Sequence, residues 1–204
     1  MVPVIDSAAA GLLTGLSLIV AIGAQNAYVL RQGLAREHVG LVVAICAVSD
    51  LLLIIAGVAG IGTIVEQAPW ALTLVRWFGV AFLGWYGVSS LLRARRAEAL
   101  AAAGGRAPTS RRTAAAKAVA LTWLNPHVYL DTVLLLGSVA NHQGPSGRWW
   151  FALGACVASI VWFTGLGYGA RLAHRVLARP RAWQVLDVVI GVVMLLIAVK
   201  LALG

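Results

Sequence analysis

Thr122–Asp131 reads TWLNPHVYLD and lies inside a long apolar segment of the 204-residue chain. Asn125, Pro126, His127 and Asp131 fall within seven residues of one another there. Each is costly in hydrocarbon, and a charged side chain at bilayer depth costs about 2.5 kcal/mol or more. Proline also has no N–H to donate, and its ring clashes with the preceding turn. A helix therefore breaks at Asn125-Pro126 and frees backbone carbonyls. Freed backbone at this depth is tolerated where it is buried or lines a water-filled cavity. The stretch thus predicts a path for a small charged substrate.

The surrounding composition supports a membrane setting. Hydrophobic residues make up 61% of the chain and charged residues 11%, with a mean hydropathy of +0.89. Soluble domains average roughly 45–50% apolar and about 25% charged. The apolar runs are each long enough to cross the ~30 Å hydrocarbon core as a helix. Alternating ten-residue strands, which a barrel needs, are missing from the pattern. The expected fold is an all-α integral membrane protein with six transmembrane helices, at about 8–30, 39–62, 70–92, 118–140, 149–170 and 183–203. The first is the weakest, because Gln25 and Asn26 fall in its last third. Whether it spans fully is left open. A start of MVPVIDSAAAG, with Asp6 and no basic residue, argues against a cleaved signal peptide.

A net charge of +9 raises nucleic acid as a partner. However, the connections 31–38, 93–117 and 171–182 hold thirteen of the sixteen Lys and Arg residues. Such clustering is the signature of membrane orientation, with basic loops in the cytoplasm. It places both termini outside and Trp70, Trp149 and Trp150 at the outer interface. Arg76 and Lys200, near the ends of spans three and six, are expected to snorkel to the interface. The middle connection reads as a flexible linker able to meet anionic headgroups. Cys46 and Cys156, without a CxxC or a neighbouring His, read as packing residues.

The two halves, 1–92 and 118–204 around the linker 93–117, echo each other. Asn26 lies over Asn125 when GAQNAYVL is set against WLNPHVYL. Cys46, Ser49 and Gly57 fall over Cys156, Ser159 and Gly167, and Gly79 falls over Gly191. Three spans per half would make the repeats inverted, a transporter architecture with its site near midplane.

Asp50 and Asp131 are the acids that this map puts at midplane. His127 is one turn from Asp131 and within reach of a hydrogen bond in an α-helix. Gln25 and Asn26 offer amide groups in the matching place of span one. Paired acids point to a cationic ligand, to a metal ion or to protons.

GAQNAYVLRQG, SDLLLIIAG and TWLNPHVYLDT together resemble the bacterial lysine/arginine exporter family, most of all its arginine exporter branch. The likeness covers nearly the whole chain. It implies a transporter rather than an enzyme, without a cofactor, that exports L-arginine and often L-lysine through the inner membrane on the proton-motive force. It also implies importance for Asp50, Asn125, Pro126 and Asp131. His127, Gln25 and Asn26 complete the expected substrate and proton site. A divalent-metal exporter using Asp50, His127 and Asp131, and a passive facilitator or channel, remain the alternatives. A preference for arginine or lysine, the proton stoichiometry and a homo-oligomeric state are left open.

Overall fold

The computed structural model describes residues 4–20, 23–60, 69–95, 109–172 and 180–203. Glu66, the linker segment 96–108 and Arg175 and Arg179 lie outside them. Eight helices and no strand occur among the described residues: α1 (Val4–Ile19), α2 (Ala24–Ala35), α3 (Val39–Val58), α4 (Pro69–Arg95), α5 (Arg111–Trp123), α6 (Pro126–Asn141), α7 (Gly144–Leu172) and α8 (Pro180–Leu203). Within α6, Tyr129–Leu136 is wound as a π-helix. Ser110 starts α5 by accepting a hydrogen bond from Thr113 N at 3.1 Å, an ordinary N-cap. The helix therefore begins inside the stretch expected to be linker.

Among the described residues three helices, α3, α7 and most of α8, are long and apolar enough to cross a membrane, and up to five spans result if each bent pair counts as one. The bent pairs are α1 with α2, inclined at 82°, and α5 with α6, at 57°. The expected first span is thus two helices. The expected third span, α4, has the length at 27 residues but is diluted by Arg76, two serines and polar-edged Trp and Tyr residues. Outward-facing positions are apolar: Leu52, Ile55, Phe78, Val161, Val189 and Leu196 are all exposed. Polar Gln32, Ser49, Asp50, Thr122, Ser159 and Asp187 are buried. Such inside-out polarity is what lipid as a solvent selects.

Small residues let the helices touch backbone to backbone. A methyl group at Gly11 would collide with the Phe151 carbonyl, and one at Gly154 with the Ala8 carbonyl. α1 and α7 therefore pack at the closest approach that peptide groups permit. Gly154→Ala is expected to cost about 1–3 kcal/mol by overpacking, read as a lower melting temperature in detergent. Gly84→Ala, at a position with open space around it, should leave that temperature unchanged.

Contacts along α7 fix the course of the first segment. Ser7 hydrogen-bonds Gln143 at 3.4 Å, Gly15 meets Ala155, Asn26 meets Trp162 and Gly33 meets Gly167. Despite the bend, α1 and α2 both advance along α7 in its own direction. At one end of the bundle the Arg36 Nε donates to Arg171 O at 3.5 Å, and Thr109 N donates to Glu37 Oε2 at 3.2 Å. The described parts of the three basic connections thus meet on one face. The start of α1, the exposed Trp70, Trp149 and Trp150 and the end of α8 lie at the other.

Just inside the basic face sits an ionic cluster. Asp187 of α8 is fully buried, with Arg31 Nε of α2 at 3.4 Å and Arg93 Nε of α4 at 3.7 Å. Arg31 also donates to the Tyr86 hydroxyl at 3.4 Å. Arg93 and Lys117 each stand 5.6 Å from the Tyr86 ring centroid, within cation–π range. Four helices, α2, α4, α5 and α8, are joined by this one cluster. It corrects one sequence reading: Arg31 and Arg93 are helix residues paired across the bundle rather than loop charges.

Candidate functional site

Two helix breaks face each other in the bundle. At the first, Gly23 is extended (φ −121°, ψ 175°), so α2 restarts in a new direction. Asn26 Nδ2 donates to Ile19 O, a carbonyl at the end of α1, at 2.7 Å. Trp162 Nε1 of α7 donates to Asn26 Oδ1 at 3.2 Å. At the second, Asn125 is extended (φ −99°, ψ 106°), as a residue before proline prefers, and Pro126 opens α6. Asn125 Oδ1 accepts from His127 N at 3.2 Å. The carbonyl of Trp123, orphaned by the break, accepts from the Tyr129 hydroxyl at 2.9 Å. Each of the two asparagines thus stabilises one break.

Between the breaks lies a cavity of about 260 Å³, lined by Gln25, Asn26, Asp50, Asn125, His127 and Asp131 among others. The structure brings together every expected site residue except Pro126. Pro126 lines an adjoining pocket of about 230 Å³, which shares His127 and Lys200 with the first. The first cavity falls just below the roughly 300–1,000 Å³ typical of small-molecule sites.

Asp50 is buried on α3 and accepts from the Ser159 hydroxyl of α7 at 3.0 Å. Asp131, on the π-wound part of α6, is half-buried and makes no hydrogen bond or ion pair among the described residues. The expected His127–Asp131 hydrogen bond is not formed, because the helix leaves α geometry at Tyr129, between the two residues. Gln25 reaches toward Cys46 and Asp50, while its buried Nε2 completes no hydrogen bond of ordinary geometry. π-helical turns are frequent at functional sites because they re-aim side chains.

The fourth ionisable group of the cavity beside Asp50, His127 and Asp131, Lys200 of α8, escaped the sequence reading, which sent it to the interface. Ser159 and Trp162 escaped it as well. Their only signals are a cation inside the sixth apolar run and polar groups inside the fifth. Arg76, also expected at the interface, caps α8: its guanidinium donates to Leu201 O at 2.6 Å and Ala202 O at 2.9 Å. Carbonyls at a helix C-terminus attract such a cation. Among the described residues no three His, Cys, Asp or Glu side chains converge in a way that would hold a metal. Cys46 and Cys156 are both free thiols.

Comparison with known proteins places this geometry in a family. Residues 16–204 match the model of the LysE type translocator. The lysine exporter LysE of Corynebacterium diphtheriae is 40% identical, over 95% of this chain and 97% of its own length. The arginine exporter protein ArgO of Enterobacter sp. (strain 638) is 44% identical, over 94% and 91%. The ArgO protein of Salmonella schwarzengrund is 43% identical over the same shares. No solved structure matches. An all-helical, lipid-compatible bundle with a polar internal cavity, matched over nearly its whole length, belongs to the LysE type translocator family, whose members are transporters and not enzymes.

Proposed function

We propose that the protein exports cationic amino acids, L-arginine and L-lysine, through the bacterial inner membrane by proton antiport with alternating access. The observation that carries this reading is the meeting of Asp50 and Asp131 in one cavity between two helix breaks. When ionised they hold the substrate's cationic groups, and on the return stroke they carry protons. Lysine and arginine are also what the relatives' names state as cargo. Moving one cationic amino acid outward against 100 mV costs about 2.3 kcal/mol, and one proton moving inward returns the same amount. One-for-one exchange is then electroneutral, with the pH and substrate gradients setting direction.

The architecture that goes with this reading is six crossings, with α1–α2 and α5–α6 each counted as one broken span. The three basic connections face the cytoplasm and both termini face outside. Two inverted repeats, 1–92 and 118–204, are supported by matched packing. α2 crosses α7 where a methyl group at Gly33 would stand 2.5 Å from Gly167 O, and α6 crosses α3 where one at Gly137 would stand 2.7 Å from Gly57 O. Gly57 and Gly167 are the very pair that the internal alignment superposes. Toward the basic face the bundle is closed by Tyr28, Tyr86 and the Asp187 cluster. Opening that side requires α2, α4, α5 and α8 to part, which is the inward-facing half of the cycle.

The test is efflux of radiolabelled L-arginine from proteoliposomes, with and without an imposed gradient, acid outside. Efflux accelerated by the gradient supports antiport. Efflux indifferent to it leaves a facilitator. Absence of arginine and lysine efflux overturns the amino-acid reading.

A further inference from the structure

From the charge pattern of the cavity we infer that Lys200 binds the substrate's α-carboxylate and selects α-amino acids against their decarboxylated amines. The inference rests on the export reading above and assigns a group within it. Arginine and lysine each carry two cationic groups and one carboxylate at neutral pH. The cavity presents the mirror image: carboxylates at Asp50 and Asp131, and an ammonium at Lys200.

Lys200 is the one Lys or Arg among the residues lining the cavity, whereas Gln25, Asn26 and Asn125 offer neutral amides. Asn26 bridges the first break, donating to Ile19 O and accepting from Trp162. Asn125 Oδ1 caps α6. The Arg76 guanidinium is held by the carbonyls ending α8. Lys200, by contrast, is exposed at the end of α8 and borders both pockets, together with His127. Its ammonium has no hydrogen bond or ion pair among the described residues. A flexible four-carbon stem with three donors suits a carboxylate that arrives and departs.

Without that cation the same cavity would be an acidic pocket suited to a diamine. A ligand lacking the carboxylate leaves Lys200 facing its own positive groups, a repulsive element of the kind that gives specificity.

Binding of radiolabelled L-arginine to the purified full-length protein, in competition with agmatine (arginine without its carboxylate), tests this. Wild type should prefer arginine to agmatine by about tenfold or more, the size of one charge-assisted contact. Lys200→Met should weaken arginine by about tenfold or more while leaving agmatine equal or tighter, and Lys200→Arg should restore the preference. Equal losses for both ligands, or an unchanged ratio, would overturn the assignment while leaving export intact. Wild-type protein that binds neither arginine nor lysine would sink the export reading itself, and this inference with it.

Discussion

Asp50→Asn is expected to lower gradient-driven arginine efflux by roughly thirty-fold or more without unfolding the protein. Asparagine has the same shape and keeps an oxygen that can accept from Ser159, which now donates to Asp50 Oδ2 at 3.0 Å. Packing is therefore preserved and only the charge is lost. Truncating one partner of a buried, hydrogen-bonded charge pair costs about 2–5 kcal/mol, or roughly thirty-fold to several-thousand-fold in binding. The proton carried by that carboxylate is lost as well, so the residual flux should no longer respond to the pH gradient. Initial rates in proteoliposomes, alongside melting temperatures of both proteins, read this directly. Full, gradient-sensitive transport by the variant would remove Asp50 from the mechanism. Ser159→Ala, which keeps the carboxylate, should lower the rate far less.

Asp187→Asn should produce the largest loss of stability. The carboxylate is fully buried between Arg31 and Arg93, whose side chains are 11% and 26% exposed. Removing it leaves two guanidinium groups inside the bundle without their counter-charge. Breaking a buried pair in this way costs about 3–5 kcal/mol. The expected readout is poor membrane yield and a strongly lowered melting temperature in detergent. Replacing Asp187, Arg31 and Arg93 together by apolar residues of similar volume should recover much of that loss, since the desolvation penalty disappears with the charges. A single variant that melts with wild type would show that the cluster contributes nothing to stability. It would leave for it only a role in opening the basic face.

The site was legible in the sequence wherever a residue type carries its consequence with it. Pro126 cannot continue a helix in any surroundings, so the break at Asn125-Pro126 was readable. Asp50 and Asp131 stand inside apolar runs, where an acid needs a reason, and both line the cavity. Gly23 announces less, because an extended glycine and a helical one look alike in sequence. The first segment accordingly read as one span where the structure has two helices at 82°. Asp187 also stands in an apolar run, in QVLDVVIGVV, but nothing local reveals that its partners are 156 and 94 residues away. Arg31 and Arg93 sit at helix ends, where a topogenic charge and one arm of a buried ion pair have the same sequence signature.

What the sequence determined alone is the solvent the chain folds in, its helical form, the break before Pro126 and the gathering of basic residues on one face. Those follow from hydropathy, backbone chemistry and charge, which are properties of single residues and short windows. Only the tertiary structure decided which polar groups meet: Asn26 with Trp162, Asp50 with Ser159, Asp187 with two arginines, and Lys200 with the acidic cavity. Such meetings depend on how each helix is rotated about its axis and how closely glycines let its neighbour approach. The π-wound turns of α6 shift that rotation, which is why Asp131 stands clear of His127 instead of hydrogen-bonding to it.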